Sequence, residues 1–367
     1  MLRGVTSQLR SMGVEEELLL VADDGAPSPS AQAVLDTAEE AHGPLENEFM
    51  EEQLETATPP TRSLTELADA LRAGRRGAQE AAAGQGARVA ALGTSPLAFT
   101  GTTVSKLRYM RARAEFGITA WEQLTNGCHV HVSVSDDAEG VAVLDRIGPW
   151  LAPLLAISTN SPFWQGQPTG YESFRSQVWS RWPTAGPTRL FGTPEAYHAA
   201  VEAIVATGTV LDQAMVYFDA RLSARYPTVE IRVADVCLDP DTATLLAALS
   251  RGLVETAARD AASGVAAPDV HPEILRTAHW RAGRSGLDGD LVDPRTWRPA
   301  PAHDVVGALV EHVKEALADA GDLDAVTDLL GALWSRGSGA ARQRAWYAGA
   351  DGDLGQVAVR AADELLS

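Results

Sequence analysis

Apolar and polar residues alternate over short stretches of this chain and recur at three- to four-residue spacing over longer ones, so strands and helices are both legible. The strand candidates are 13–21, 48–57, 87–93, 127–135 and 227–236, mostly alternating or β-branched in character. Ser63 with Glu66 makes a capping box ahead of Leu64, Leu67, Ala68 and Leu71, which predicts a helix to about Ala83. Thr193-Pro194 sets a cap and a first-turn proline before a run predicted to reach about Arg221, and Asp239-Pro240-Asp241 does the same for a stretch ending near Ala262. Further helices are predicted over 302–320, 323–335 and from about Leu354 to Leu366. Single helices do not separate the strands regularly. The expected class is therefore α+β, a mainly antiparallel sheet with helices packed on one side. Residues 263–301, rich in Gly, Pro, Asp and Arg, read as a long irregular excursion ahead of the helical part 302–367.

Composition narrows the picture. With 367 residues, 45% hydrophobic and 22% charged, the chain can bury a large core. A net charge of −19 argues against nucleic acid or an anionic membrane as partner. The apolar stretch from Ile147 to Ile157 is broken by Gly148, Pro149 and Pro153 and is too short to span a bilayer. The first twelve residues carry no apolar export core, and Cys128 and Cys237 form no C-x-x-C, so a reducing cytoplasm is the expected location.

The chemistry lies in polar residues that interrupt strand patterns. Glu15 and Glu17 share one face of the first strand and Glu16 takes the other, since side chains alternate. Alone, such a triplet reads as a solvated edge. Its recurrence changes that. His129 and His131 share a face opposite Val130, Val132 and Val134. Glu230 and Arg232 share a face opposite Val229, Ile231 and Val233, as a structural ion pair or as a cation ligand beside a phosphate ligand. The stretch 48–60 is either an acidic amphipathic helix or a strand leading into Pro59-Pro60. As a strand it offers Glu55 to the same face, with Glu48 next across a bulge. A set dominated by carboxylates with imidazole suits Mg²⁺ or Mn²⁺ better than zinc, and with arginine it points to phosphoryl transfer. No Walker A loop, Rossmann glycine fingerprint, G-x-S-x-G elbow or H-E-x-x-H occurs.

Taken in order, Gly13-Val14-Glu15-Glu16-Glu17, Gln53 to Pro59, Gly127 to Val132 and Glu230 to Asp235 resemble the signatures of the type 2 glutamate-cysteine ligase family, the bacterial carboxylate-amine ligases. The resemblance continues through Gly170 to Arg175, Trp280-Arg281-Ala282, Gly286 to Gly289 and Gly339 to Arg344, nearly the whole chain. It implies one catalytic domain over 1–367, related to glutamine synthetase, with a curved antiparallel sheet as the floor of an ATP and metal site. It implies also that ATP phosphorylates a carboxylate and an amine attacks the acyl phosphate, possible products including γ-glutamylcysteine. A different acid and amine, or a related guanidino phosphotransferase, are the alternatives. By this resemblance Glu15, Glu17, Glu55, His129 and Glu230, with Glu48, would hold Mg²⁺ or Mn²⁺. Arg232 and Glu55 would stand nearest the chemistry. Arg232, Arg175, Arg281, Arg342 and His131 are the candidates for contact with ATP or substrate anions, with Arg181 in the same position as Arg175. Glu16 is expected to be an outward bystander, so Glu16→Gln should be milder than Glu15→Gln or Glu230→Gln. The partners expected are a small carboxylate and an amine, with a homodimer as the assembly.

Overall fold

The computed structural model describes residues 9–39 and 42–367, so part of the segment read for an export core lies outside the described residues. Eleven strands occur among them: β1 (Met12–Val21), β2 (Leu45–Asn47), β3 (Gln53–Ala57), β4 (Arg88–Ala90), β5 (Gly127–Ser133), β6 (Phe163–Trp164), β7 (Gln167–Pro168), β8 (Ala220–Leu222), β9 (Thr228–Asp235), β10 (Asp290–Asp293) and β11 (Arg298–Pro301). Seven form one sheet in the order β2-β3-β1-β5-β9-β8, with β4 on the far end of β1, and every pairing is antiparallel. The expected 48–57 strand is instead a hairpin. Residues 48–52 form the turn between β2 and β3, so Glu48 reaches the sheet face from a turn while Glu55 sits on a strand.

Helices cover the back of this sheet. Pro240–Ala262 is the central one, its N-terminus fixed by Asp239 accepting from the Thr242 N–H and by Pro240 in the first turn. It packs against the helices Ala302–Ala320, Asp137–Ile147, Leu64–Ala83 and Leu323–Arg336 and against β5 and β1. Leu245, Leu246, Leu249 and Leu253 are buried along it, each worth roughly 1.5–3 kcal/mol of transfer out of water. Asp137–Ser158 forms one helical run of 22 residues, long and apolar enough by composition to cross a membrane, but 78% of its apolar window is buried inside the fold, against Pro240–Ala262.

Two predicted segments change. The helix after Thr193 ends at Ala206, and the chain then turns and enters β8, which makes Arg221 a strand residue. The 263–301 excursion contains a helix, Pro272–Ser285, and the β10–β11 hairpin; Pro272 opens that helix in a stretch whose Gly and Pro content suggests loop.

A further correction concerns Glu16. It does point to the opposite face from Glu15 and Glu17, but that face is the core. Its carboxylate is fully buried and receives two hydrogen bonds from Arg75 on Leu64–Ala83, Nε at 2.9 Å and Nη2 at 2.6 Å. Arg75 also donates to the carbonyls of Cys237, Leu238 and Leu365, tying the first strand to the end of β9 and to the C-terminal helix. Burial opposes the charge on Arg75, but Glu16 and its neighbours outweigh it and hold the guanidinium above its ordinary pKa.

Candidate active site

The exposed face of the sheet is the floor of a cleft of about 960 Å³. The register sets its residues side by side: Glu17 lies opposite Glu55, Glu15 opposite His129, and His131 opposite Glu230. Between β5 and β9 the pairing slips, Cys128 facing Ala234 and Val130 facing Ile231, so Arg232 and Val233 together oppose the single His129. This is a β-bulge, a device that re-aims a side chain. Glu230 and Arg232 line the cleft, and beyond the bulge Asp235 is fully buried.

Two groups of ligating atoms result. Glu15, His131 and Glu230 can bring one atom each within 4.8 Å of one another, and so can Glu17, Glu48 and Glu55. Their electrostatics differ. In the second group burial pushes the Glu17 carboxyl up to about 7, with Glu48 adding to the shift, although the Gly127 N–H donates to it at 2.5 Å. Burial and the charges of Glu48, Glu15 and Glu17 hold Glu55 well above the carboxylate range. Crowded carboxylates of this kind are what a hard divalent cation relieves. In the first group burial is outweighed. Contacts from His129 at 3.5 Å and His131 at 3.3 Å hold Glu15 low, and Arg232 and Arg221 hold Glu230 low.

His129 lies between the groups, buried, with Nε2 unpartnered and 3.9 Å from Glu17. Burial and the nearby Arg232 lower its pKa to about 4, so it is neutral at pH 7. The imidazole within the three-residue group is His131, while His129 stands between the two groups. His131 Nδ1 is fixed by Thr228 Oγ1 at 3.0 Å, which leaves Nε2 toward Glu15.

Arg232 is ion-paired with Glu230, and its guanidinium lies 5.8 Å from the Trp179 ring and 5.9 Å from Tyr217. These rings belong to a wall of aromatic contacts along one side of the cleft, edge-on at Phe49–Tyr109, Phe49–Trp182 and Trp182–Tyr217 and tilted at Trp179–Tyr217. Arg175 is not among the cleft-lining residues. It is buried, stacked 5.5 Å from Trp179, and a Cβ at Gly127 would stand 2.3 Å from its Nη2. That approach is why position 127 is glycine. Below it Asp235 accepts from Asn160 N, Ser161 Oγ and Ser173 Oγ, and Ser161 Oγ accepts from the Arg175 N–H.

Residues 11–359 match the family model described as glutamate-cysteine ligase family 2. The chain belongs to the glutamate-cysteine ligase family 2. A relative from Streptomyces avermitilis named "Putative glutamate--cysteine ligase 2-1" is 53% identical over 92% of this chain and 94% of its own length, and one from Streptomyces coelicolor named "Putative glutamate--cysteine ligase 2" is 51% identical with the same coverage. The fold is shared more widely. A glutamate–cysteine ligase from Francisella tularensis, solved in complex with AMP, superposes with a TM-score of 0.71 at 14% identity over 98% of this chain and 89% of that one. A bifunctional glutathione synthetase from Pasteurella multocida superposes at 0.70 with 17% identity; 97% of this chain corresponds to 52% of that longer one. Family membership makes this protein an amide-forming ligase joining a carboxylate and an amine.

Within this family member the structure brings Glu15, Glu17, Glu48, Glu55, His129, His131, Glu230 and Arg232 to one cleft. It leaves others out. Arg342 pairs with Asp239 and Glu364 and stacks on Trp346, a link between helices remote from the floor. Arg281 lies on Pro272–Ser285 and is not among the cleft residues, and Arg181 pairs with Glu122 at 2.5 Å. Sequence reasoning missed Arg221, whose Nε meets Glu230 at 2.7 Å, because the segment before β8 reads as helix. Its signal is the alternation Asp219, Arg221 and Ser223 around Ala220 and Leu222.

Proposed function

We propose that the cleft binds ATP with divalent cations, activates a substrate carboxylate as an acyl phosphate, and passes the acyl group to an amine with release of ADP and phosphate. The observation that carries this reading is the pair of carboxylate-rich groups flanking Arg232 on one sheet face, in a chain of an amide-forming ligase family. Mg²⁺ or Mn²⁺ fits the donors: five carboxylates and one imidazole, with Glu17 and Glu55 crowded enough to favour protonation over shared negative charge. Bound there, the cations would neutralise charge between the carboxylate and the phosphate oxygens. The chain's own residues do the rest. Arg232, held between aromatic rings, presents a guanidinium to the transferring phosphoryl group, and the aromatic wall excludes water that would hydrolyse an acyl phosphate.

Glutamate and cysteine are the first substrate pair to test, since the family is named for them. A second reading, a different acid or amine, is favoured by the aromatic wall of Phe49, Tyr109, Trp179, Trp182 and Tyr217, which offers an apolar surface suited to a larger side chain. Incubation with ATP, Mg²⁺ and pools of acids and amines, followed by phosphate release and amide mass, distinguishes the two. Hydroxylamine should trap the activated acid as a hydroxamate. ATP turnover indifferent to every acid, or turnover without hydroxamate, would overturn the ligase mechanism.

A further inference from the structure

The two carboxylate groups differ in what already holds them. None of Glu17, Glu48 and Glu55 makes an ion pair with Arg or Lys among the described residues. Glu230, in contrast, is held on both oxygens. Arg221 reaches Oε2 with Nε at 2.7 Å and Oε1 with Nη2 at 3.3 Å, and Arg232 Nη1 takes Oε1 as well. The two arginines are not equivalent. Arg221 is anchored independently, its Nη1 donating to the carbonyls of Ala214 at 3.1 Å and Val216 at 3.0 Å. Arg232 has no such anchor. Its Nε is unpartnered, and beyond Glu230 its guanidinium meets only His129 Nδ1 at 3.5 Å and the faces of Trp179 and Tyr217. A buried cation that depends on one carboxylate will follow a stronger anion when one arrives.

We infer that Arg232 and a divalent cation compete for Glu230, so that the Glu15–His131–Glu230 group takes its cation only together with an anion that draws Arg232 away. This rests on the metal-binding reading proposed above and adds an order to it. The Glu17–Glu48–Glu55 group binds first and alone, and the second cation enters with the phosphate. Arg221 stays in place and holds Glu230 in position while Arg232 leaves. Because binding linkage is reciprocal, the same competition makes the anion bind more tightly once the second cation is present. It also keeps Glu230 neutralised before nucleotide arrives.

The test counts bound Mn²⁺ by the electron paramagnetic resonance signal of the free ion, with protein-free controls to subtract Mn²⁺–phosphate complexes. Wild-type protein at constant ionic strength should bind one Mn²⁺ tightly, and inorganic phosphate should bring in a second. Arg232→Met should open the second site without phosphate, at least about tenfold tighter than in the wild type under the same conditions, as expected when a close buried charge competitor is removed. Arg232→Lys, which keeps a charge there, should stay phosphate-dependent, and Arg232→Met combined with Glu230→Gln should lose the second site. Two equal sites in the wild type without phosphate would overturn the inference, as would an Arg232→Met protein that still needs phosphate. Should Arg232→Met fail to fold, the wild-type phosphate titration decides alone. Absence of Mn²⁺ binding under every condition would instead remove the metal reading itself.

Discussion

The first strand of the sheet carries three glutamates in a row, and its two faces treat them in opposite ways. On the back, Glu16 is fully buried and fully answered, with Arg75 bridging it to three carbonyls of two other segments. On the front, Glu17 joins Glu48 and Glu55 with no arginine or lysine ion-paired to them among the described residues, and burial pushes the Glu17 and Glu55 carboxyls toward protonation. The difference teaches how to separate structural acids from functional ones. A buried charge whose partner is built into the fold holds the fold together, whereas crowded charges without partners are tolerated for the sake of something that binds.

The largest effect expected from breaking this contrast is on the back face. Glu16→Gln leaves Arg75 charged and unpaired in the core and should cost about 3–5 kcal/mol of stability, read from the midpoint of chemical denaturation. Joint replacement, Glu16→Met with Arg75→Met, should restore much of that loss. A front-face change reverses the pattern. Glu55→Gln or Glu17→Gln should lower ligase turnover at least about 100-fold, the upper end of what even indirect disturbance of a metal site costs, without lowering metal-free stability. Equal loss of stability at Glu16 and Glu55 would erase the distinction between the faces.

Much of the front face is legible in the sequence because strand alternation is a rigid rule. Once 13–21, 127–133 and 228–235 are strands, the placement of Glu15, Glu17, His129, His131, Glu230 and Arg232 on common faces follows from counting. What is not legible is partnership across distance. Glu16 reads as a bystander because nothing local shows that Arg75, 59 positions away, answers it. The clue lies on the helix Leu64–Ala83, where Arg75 continues the buried stripe of Leu67, Leu71, Ala78 and Ala82. A charged residue on an apolar stripe asks for a buried counter-charge. Arg342 and Arg281 illustrate the converse: a motif-like setting marks them, but their positions on helices outside the cleft lining are a property of the tertiary fold.

A smaller effect comes from filling the front face without mutation. Mn²⁺ at 100 times its dissociation constant should raise stability by about 2.7 kcal/mol, seen as a higher melting temperature than in a chelator. The increment should vanish in Glu55→Gln combined with Glu230→Gln and persist in proteins altered only on exposed helices. A shift of equal size in the double variant would place the cation elsewhere.

The smallest expected effect is the pH dependence of the metal-free protein, and its smallness is itself informative. Glu17 is raised from its ordinary 4.5 to about 7, so its stabilising contribution is complete below about 4.5 and is lost as pH rises through about 7. Glu55 is raised as well and acts with the same sign. His129 is lowered from 6.5 to about 4, so its contribution is present above 6.5 and is lost as pH falls through about 4. Across pH 4.5 to 6.5 the two acids therefore pull stability down with rising pH while the one imidazole pulls it up, and the net fall should not exceed about 1.4 kcal/mol per unit, the equivalent of one proton. Single changes separate the two. In chelator, Glu17→Gln should leave a nearly flat profile over this window, with Glu55 and His129 opposing each other, and His129→Gln one that falls more steeply than the wild type, both measurable by denaturation at a series of pH values. Parallel curves for wild type and both variants would mean that these buried groups do not titrate against each other, and the crowding that marks the front face would have to be sought in Glu48 and Glu55 alone.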